Sequence, residues 1–93
     1  MTMQYDVLSA TRTSDGTLVS FPTRIKGITL TTTSTAGSIV LKDGGSGGTT
    51  RMTFNTPAQA EIFNIFIPGE GVWFKTDVYL DVTDVTSVTV FYG

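Results

Sequence analysis

The residues able to do chemistry are few. The 93-residue chain has no histidine and no cysteine. Nucleophile–base pairs of the Ser–His and Cys–His kind are therefore excluded. So are disulfides, thiolate sites and the commonest ligand of transition metals. Eight carboxylates remain. Asp77 and Asp81 share the odd-numbered side of one expected strand. At a rise of about 3.4 Å per residue they stand ~13 Å apart, wider than the ~5–9.5 Å that glycosidase pairs use. They read as a solvated strand face. Asp81 and Asp84 offer oxygen ligands to calcium, but in no recognised loop pattern. No catalytic, cofactor-binding or metal-ligating residue is assigned.

The other stretch that invites a chemical reading is "KDGGSGGTT", residues 42–50. A phosphate-gripping loop of the Walker type ends on a lysine followed by serine or threonine, and a helix comes next. Here Lys42 precedes the glycines, Thr49 and Thr50 follow them, and the next element reads as a strand. The stretch is expected to be an exposed, mobile hairpin tip that binds no ligand.

The elements that would position these residues are strands. Threonine makes up about a fifth of the chain and valine is frequent. Both are β-branched and suit strands, whereas the strong helix formers are scarce. Strands are expected over Gln4–Thr13, Thr17–Phe21, Arg24–Thr33, Ser38–Lys42, Thr49–Asn55 and Glu61–Ile67. A further stretch opens at Val72 and continues its even-numbered apolar side through Val78, Leu80 and Val82. Asp84–Ser87 reads as a turn or bulge before a last strand that carries Val88, Val90 and Tyr92 on one side. "EIFNIFI", residues 61–67, is nearly all apolar and reads as a strand covered on both faces. Turn signals recur every 8–12 residues, as in a sandwich or small barrel. The expectation is all-β: a small antiparallel β-sandwich, jelly-roll-like, with about eight short strands in one domain over residues 1–93.

Six basic and eight acidic residues give a net charge of −2. No basic patch is present to neutralise phosphates, so nucleic acid is not an expected partner. No apolar stretch approaches the roughly 20 residues of a membrane helix, and no membrane partner is expected. Met1–Asp6 show no basic start followed by an apolar run, so no secretory signal is expected. A domain this small has a thin core, and without disulfides or metal the support left over is oligomerisation.

Trp73, Tyr79 and Phe91 fall on the odd-numbered side, opposite the aliphatic side of Val72, Phe74, Val78, Leu80, Val88 and Val90. They are the candidate interface residues. They could form a partner surface, pack beneath neighbouring loops, or offer a sugar-stacking platform. A register break near Thr76–Asp77 would reassign these sides.

Three segments together, "KDGGSGGTT", "IPGEGVWFKTDVYLDVT" and "VTSVTVFYG", resemble a group of small proteins encoded by tailed bacteriophages, particularly phages of marine bacteria and cyanobacteria. The resemblance runs from Ile39 onward and is carried by turns and strand ends. The first half, with "SDGTLVSFPTRIKGITL", matches only in its β character. The resemblance brings no active-site residues. It implies a non-enzymatic virion component, made in the host cytoplasm and placed on the outside of the particle. The expected role is a capsid-surface decoration or cement protein that stabilises the head through protein–protein contacts. Its expected partners are the major capsid protein or another virion protein, and itself. A homotrimer is expected because decoration proteins often sit at threefold positions. The alternative is a tail-associated adhesion module that binds host-surface carbohydrate.

Overall fold

A computed structural model describes residues 7–93. Nine strands follow in chain order: β1 Leu8–Arg12, β2 Gly16–Val19, β3 Thr23–Thr32, β4 Gly37–Asp43, β5 Thr49–Thr56, β6 Ile62–Phe66, β7 Val72–Phe74, β8 Val78–Thr83 and β9 Val85–Tyr92. Residues 4–6 of the expected first strand lie outside the described residues. Sheet A has the order β1-β9-β3-β6, with short β7 also pairing with β3. Sheet B has the order β2-β8-β4-β5. All pairings are antiparallel. With β7 set aside as an insertion, the two sheets have the strand order of a jelly roll.

The core lies between the sheets. Sheet A contributes Ile28, Leu30, Val88 and Val90, and sheet B contributes Ile39, Leu41, Val78 and Leu80. These are the alternate residues of each strand, as the two-residue period of a strand dictates. Among the described residues, Phe74 is the one aromatic ring fully buried in this core. No buried side-chain nitrogen or oxygen among the described residues lacks a hydrogen-bond partner.

Two corners shape the sandwich. The chain passes from sheet B to sheet A through Asp84 alone, which takes a left-handed φ of 51°. Aspartate tolerates that region better than most residues. The expected turn or bulge at Asp84–Ser87 is thus a one-residue corner, and Ser87 already pairs with Thr31. Thr33 Oγ1 lies 3.1 Å from the Asp84 carbonyl and receives the Thr35 N–H at 3.1 Å. Gly37 packs directly beneath this corner. A Cβ there would land on the Thr83 carbonyl and reach 3.0 Å from the Asp84 Cβ.

The second corner lies at residues 75–77, between β7 in sheet A and β8 in sheet B. The strand expected to run on from Val72 breaks here for a specific reason. The buried Asp43 carboxylate, at the end of β4, accepts the N–H groups of Lys75 (2.9 Å), Thr76 (2.9 Å) and Asp77 (3.5 Å). Donors that would otherwise join a ladder are turned onto one side chain.

The expected cover on both faces of "EIFNIFI" is not found. β6 is the outer strand of sheet A, and its exposure alternates along its length. Phe63 and Ile65 are half-buried towards the core, while Ile62 is 68% and Phe66 90% exposed. A continuous apolar run is what a doubly covered strand needs, but within this chain only one side of β6 is covered.

Candidate interaction face

The registers of sheet A place its outward side chains in rows. One row crosses Ser9, Phe91, Gly27 and Phe66 from β1 to β6. The next crosses Thr11, Thr89, Thr29 and Asn64. It is polar and internally bonded: Thr11 and Thr89 hydroxyls lie 2.8 Å apart, and Thr29 Oγ1 donates to Asn64 Oδ1 at 2.8 Å. Near the other end of β3, Arg24 pairs with Trp73. The Arg24 guanidinium carbon stands 5.4 Å from the Trp73 ring centroid, a cation–π contact.

Gly27 gives this face its relief. With no side chain between Phe91 and Phe66, a groove of about 310 Å³ opens with Gly27, Ile28 and Thr29 as its floor. A Cβ at Gly27 would meet Phe91 at 3.6 Å, an ordinary contact. Four large apolar side chains stand on the outward side of sheet A: Phe66 (90% exposed), Ile62 (68%), Trp73 (48%) and Phe91 (37%). Fully burying a side chain of the Phe or Ile class contributes about 1.5–3 kcal/mol. Phe66 and Phe91 share one row, Ile62 stands beyond the polar row and Trp73 near the other end of β3. Large apolar side chains gathered on one face make it the candidate interaction surface.

At the open side of the sandwich, between β5 and β6, a second cleft of about 230 Å³ is lined by Leu30, Phe54, Phe63 and Ile65. Here the two sheets separate without a strand to close the gap. The core residues of β5 and β6 are therefore half-buried rather than sealed.

Of the three candidate interface residues, Trp73 and Phe91 share the outward face of sheet A. Tyr79 does not join them. It lies on the outward face of sheet B, opposite Thr17 and Lys42, and is half-buried. The break at residues 75–77 moves it, because the strands on either side of the break belong to different sheets. All three rings point away from the core, as their odd-numbered positions predict, but to opposite sides of the molecule. Phe66 and Ile62 also belong to the face, although the apolar run that holds them reads as a strand covered on both sides. The signal was present in Asn64, a polar residue in the middle of the apolar run, which marks the outward side.

Four of the acidic residues, Asp15, Asp43, Asp77 and Asp81, serve architecture. Asp77 Oδ1 accepts the N–H groups of Gly44 (2.9 Å) and Gly45 (3.1 Å). Asp43 and Asp77 thus hold each other's loops: each carboxylate receives the backbone of the other's segment. Asp81 pairs with Lys42 at 3.5 Å, and Asp15 Oδ1 accepts the Val82 N–H at 2.7 Å. Burial would raise the Asp43 carboxyl. The N–H groups of Lys75, Thr76 and Asp77, together with Arg51 at 3.4 Å, outweigh that and hold it below its ordinary value of 3.8. Among the described residues no three of His, Cys, Asp and Glu come together as a metal site.

The glycine stretch is the β4–β5 hairpin tip, as the sequence predicts. Its base is pinned rather than free, by Asp77, by the Gly48 N–H on the Gly45 carbonyl (3.0 Å) and by Lys42 Nζ on the Ser46 carbonyl (3.1 Å). Gly45 has a φ of 79°, and Gly47 stands in open space without a left-handed φ. Gly45→Ala should cost about 1 kcal/mol and Gly47→Ala should be neutral or slightly stabilising. Thermal melts of the two variants check this.

No helix among the described residues is long and apolar enough to cross a membrane. No family model matches the chain, and neither a curated protein nor a solved structure shows significant similarity to it.

Proposed function

We propose that the protein is a non-catalytic structural component of a phage virion, a decoration or cement protein on the outer surface of the head. It binds the major capsid protein or another virion protein through the outward face of sheet A. The observation that carries this reading is the exposed set of Phe66, Ile62, Trp73 and Phe91 on one face, beside carboxylates spent on holding loops. The jelly-roll strand order supports it by fold-level analogy, since capsid domains use that architecture. A surface with few charges and no basic excess offers little to packaged DNA. Bound to the assembled lattice and not to its opened form, the protein would favour the closed head by mass action.

One observation favours the alternative, an adhesion module for host-surface carbohydrate. The groove over Gly27 has aromatic walls, Phe66 and Phe91, and a polar edge, Thr29 and Asn64. Such a pairing can stack on a sugar ring while bonding its hydroxyls. Lectin domains also use the jelly roll.

Particles prepared without the protein and then given it back separate the two readings. The decoration reading expects saturable binding to heads and a higher temperature of head opening. Trp73→Ala should weaken that binding about 10-fold or more, since interface aromatics of this kind carry much of the affinity. Binding to purified host polysaccharide instead, weakened when Phe66→Ala removes one aromatic wall of the groove, would replace it with adhesion.

A further inference from the structure

We propose that β6 is a self-pairing edge: two copies of the chain join antiparallel across a twofold axis at Asn64, fusing their A sheets into one. This goes beyond the function proposed above: pairing covers Phe66 and Ile62 and leaves Trp73 and Phe91 as the face for that partner, and the test below reads self-association alone.

The backbone sets the register. The Thr32 N–H donates to the Glu61 carbonyl, and the Ile67 N–H donates to the Lys26 carbonyl. The β3–β6 pairing between these two bonds is regular. Antiparallel ladders alternate, so the backbone groups of residues 61, 63, 65 and 67 face β3. Those of Ile62, Asn64 and Phe66 face the free edge. A second β6 centred on Asn64 places Ile62 against Phe66 of the other copy, Asn64 against Asn64, and Phe66 against Ile62. These three pairs are the ones whose backbone groups are unspent, and each exchanges two hydrogen bonds.

The side chains fit the same axis. In "IFNIF", residues 62–66, reversal about Asn64 brings each isoleucine onto a phenylalanine. On the outward side the two most exposed large apolar side chains among the described residues, Phe66 and Ile62, cover one another. On the inward side Phe63 meets Ile65 at the mouth of the cleft they line. Aromatic–β-branched pairs of this kind are among the more favourable cross-strand contacts. A twofold interface requires that one patch complement itself, and this strand does so in both backbone and side chains.

The edge is also unguarded. Exposed edge strands are ordinarily blunted by charge, proline or a bulge. Between Glu61 and Pro68, β6 has none of these. The matching edge of sheet B, β5, carries Arg51, Thr53 and Asn55 on its exposed positions and breaks register near Leu41–Lys42. The fused A sheet would show the Trp73–Phe91 face twice, side by side.

Sedimentation equilibrium of the full chain across a concentration series tests the pairing. The expected result is a monomer–dimer equilibrium. Phe66→Glu leaves the fold intact, because Phe66 is almost fully exposed, and should weaken the dimer about 100-fold through two lost Phe–Ile contacts. Asn64→Lys and Asn64→Asp should each weaken it about five- to tenfold by setting like charges across the axis, and mixing the two should restore it. Hydrogen exchange needs no variant: the amides of Ile62, Asn64 and Phe66 should gain protection as concentration rises. A monomer at millimolar concentration overturns the proposal. So does a trimer, the stoichiometry expected from the phage resemblance, or a dimer indifferent to all three substitutions whose β6 amides exchange freely.

Discussion

Asp43→Ala is expected to lower the stability of the fold by about 2–4 kcal/mol, because a buried acceptor of several hydrogen bonds is removed and its donors are left without a partner. In a domain of this size that corresponds to a fall in melting temperature of roughly 10–20 °C. Asp43 receives Lys75 and Thr76 at 2.9 Å each, and its side chain is almost wholly inaccessible. With it gone, the corner between β7 and β8 loses what turns the chain from one sheet to the other. Asp43→Asn keeps one acceptor oxygen and should lose about half as much. The Arg51 ion pair is a lesser part, since Arg51 is more than a third exposed. Stability should also fall in acid. The folded-state carboxyl titrates below its ordinary value of 3.8. Its contribution is complete above that value and is lost as pH drops through the lower folded value. Denaturant melts from pH 6 down to about pH 2 should show this loss in the wild type and a shallower one in Asp43→Asn.

Gly37→Ala should be nearly as damaging, at about 2–3 kcal/mol, through overpacking against backbone that cannot step aside. The added methyl meets the Thr83 carbonyl and the base of Asp84. Those atoms form the one-residue passage from β8 to β9, so relief requires separating β4 from the corner. The Gly37 N–H, bonded to Thr56 Oγ1 at 2.9 Å, would move with it. Gly47→Ala, in open space, is the control. Chemical denaturation of both variants separates a general effect of removing glycine from this local collision.

Much of the sandwich is legible in the sequence because its signals are local. The period-two pattern of Ile39 and Leu41, or of Val88 and Val90, gives both the strand and its inward side. The turns at Asp15–Gly16 and Pro68–Gly71 are written in residues that favour turns for their own reasons. Asp43 is illegible for the opposite reason. An aspartate before two glycines reads as turn chemistry, and the donors it holds lie 32–34 residues further on. That interaction in turn splits the expected strand after Phe74 and sends Tyr79 to the far sheet. The run at β6 was legible as strand but not as edge. An apolar side chain carries the same pattern whether its own second layer covers it or another molecule does. Parity alone marks Trp73 and Phe91 as outward, whereas the exposure of Phe66 follows only from the sheet order.

The claim that the outward face of sheet A is where this protein meets its partner is tested most directly by hydroxyl-radical footprinting of the assembled particle against the free chain. Oxidation of Trp73 and Phe91 is expected to fall sharply on assembly while Tyr79, on sheet B, reacts as before. Protection of Tyr79 with Trp73 and Phe91 left reactive would contradict that claim.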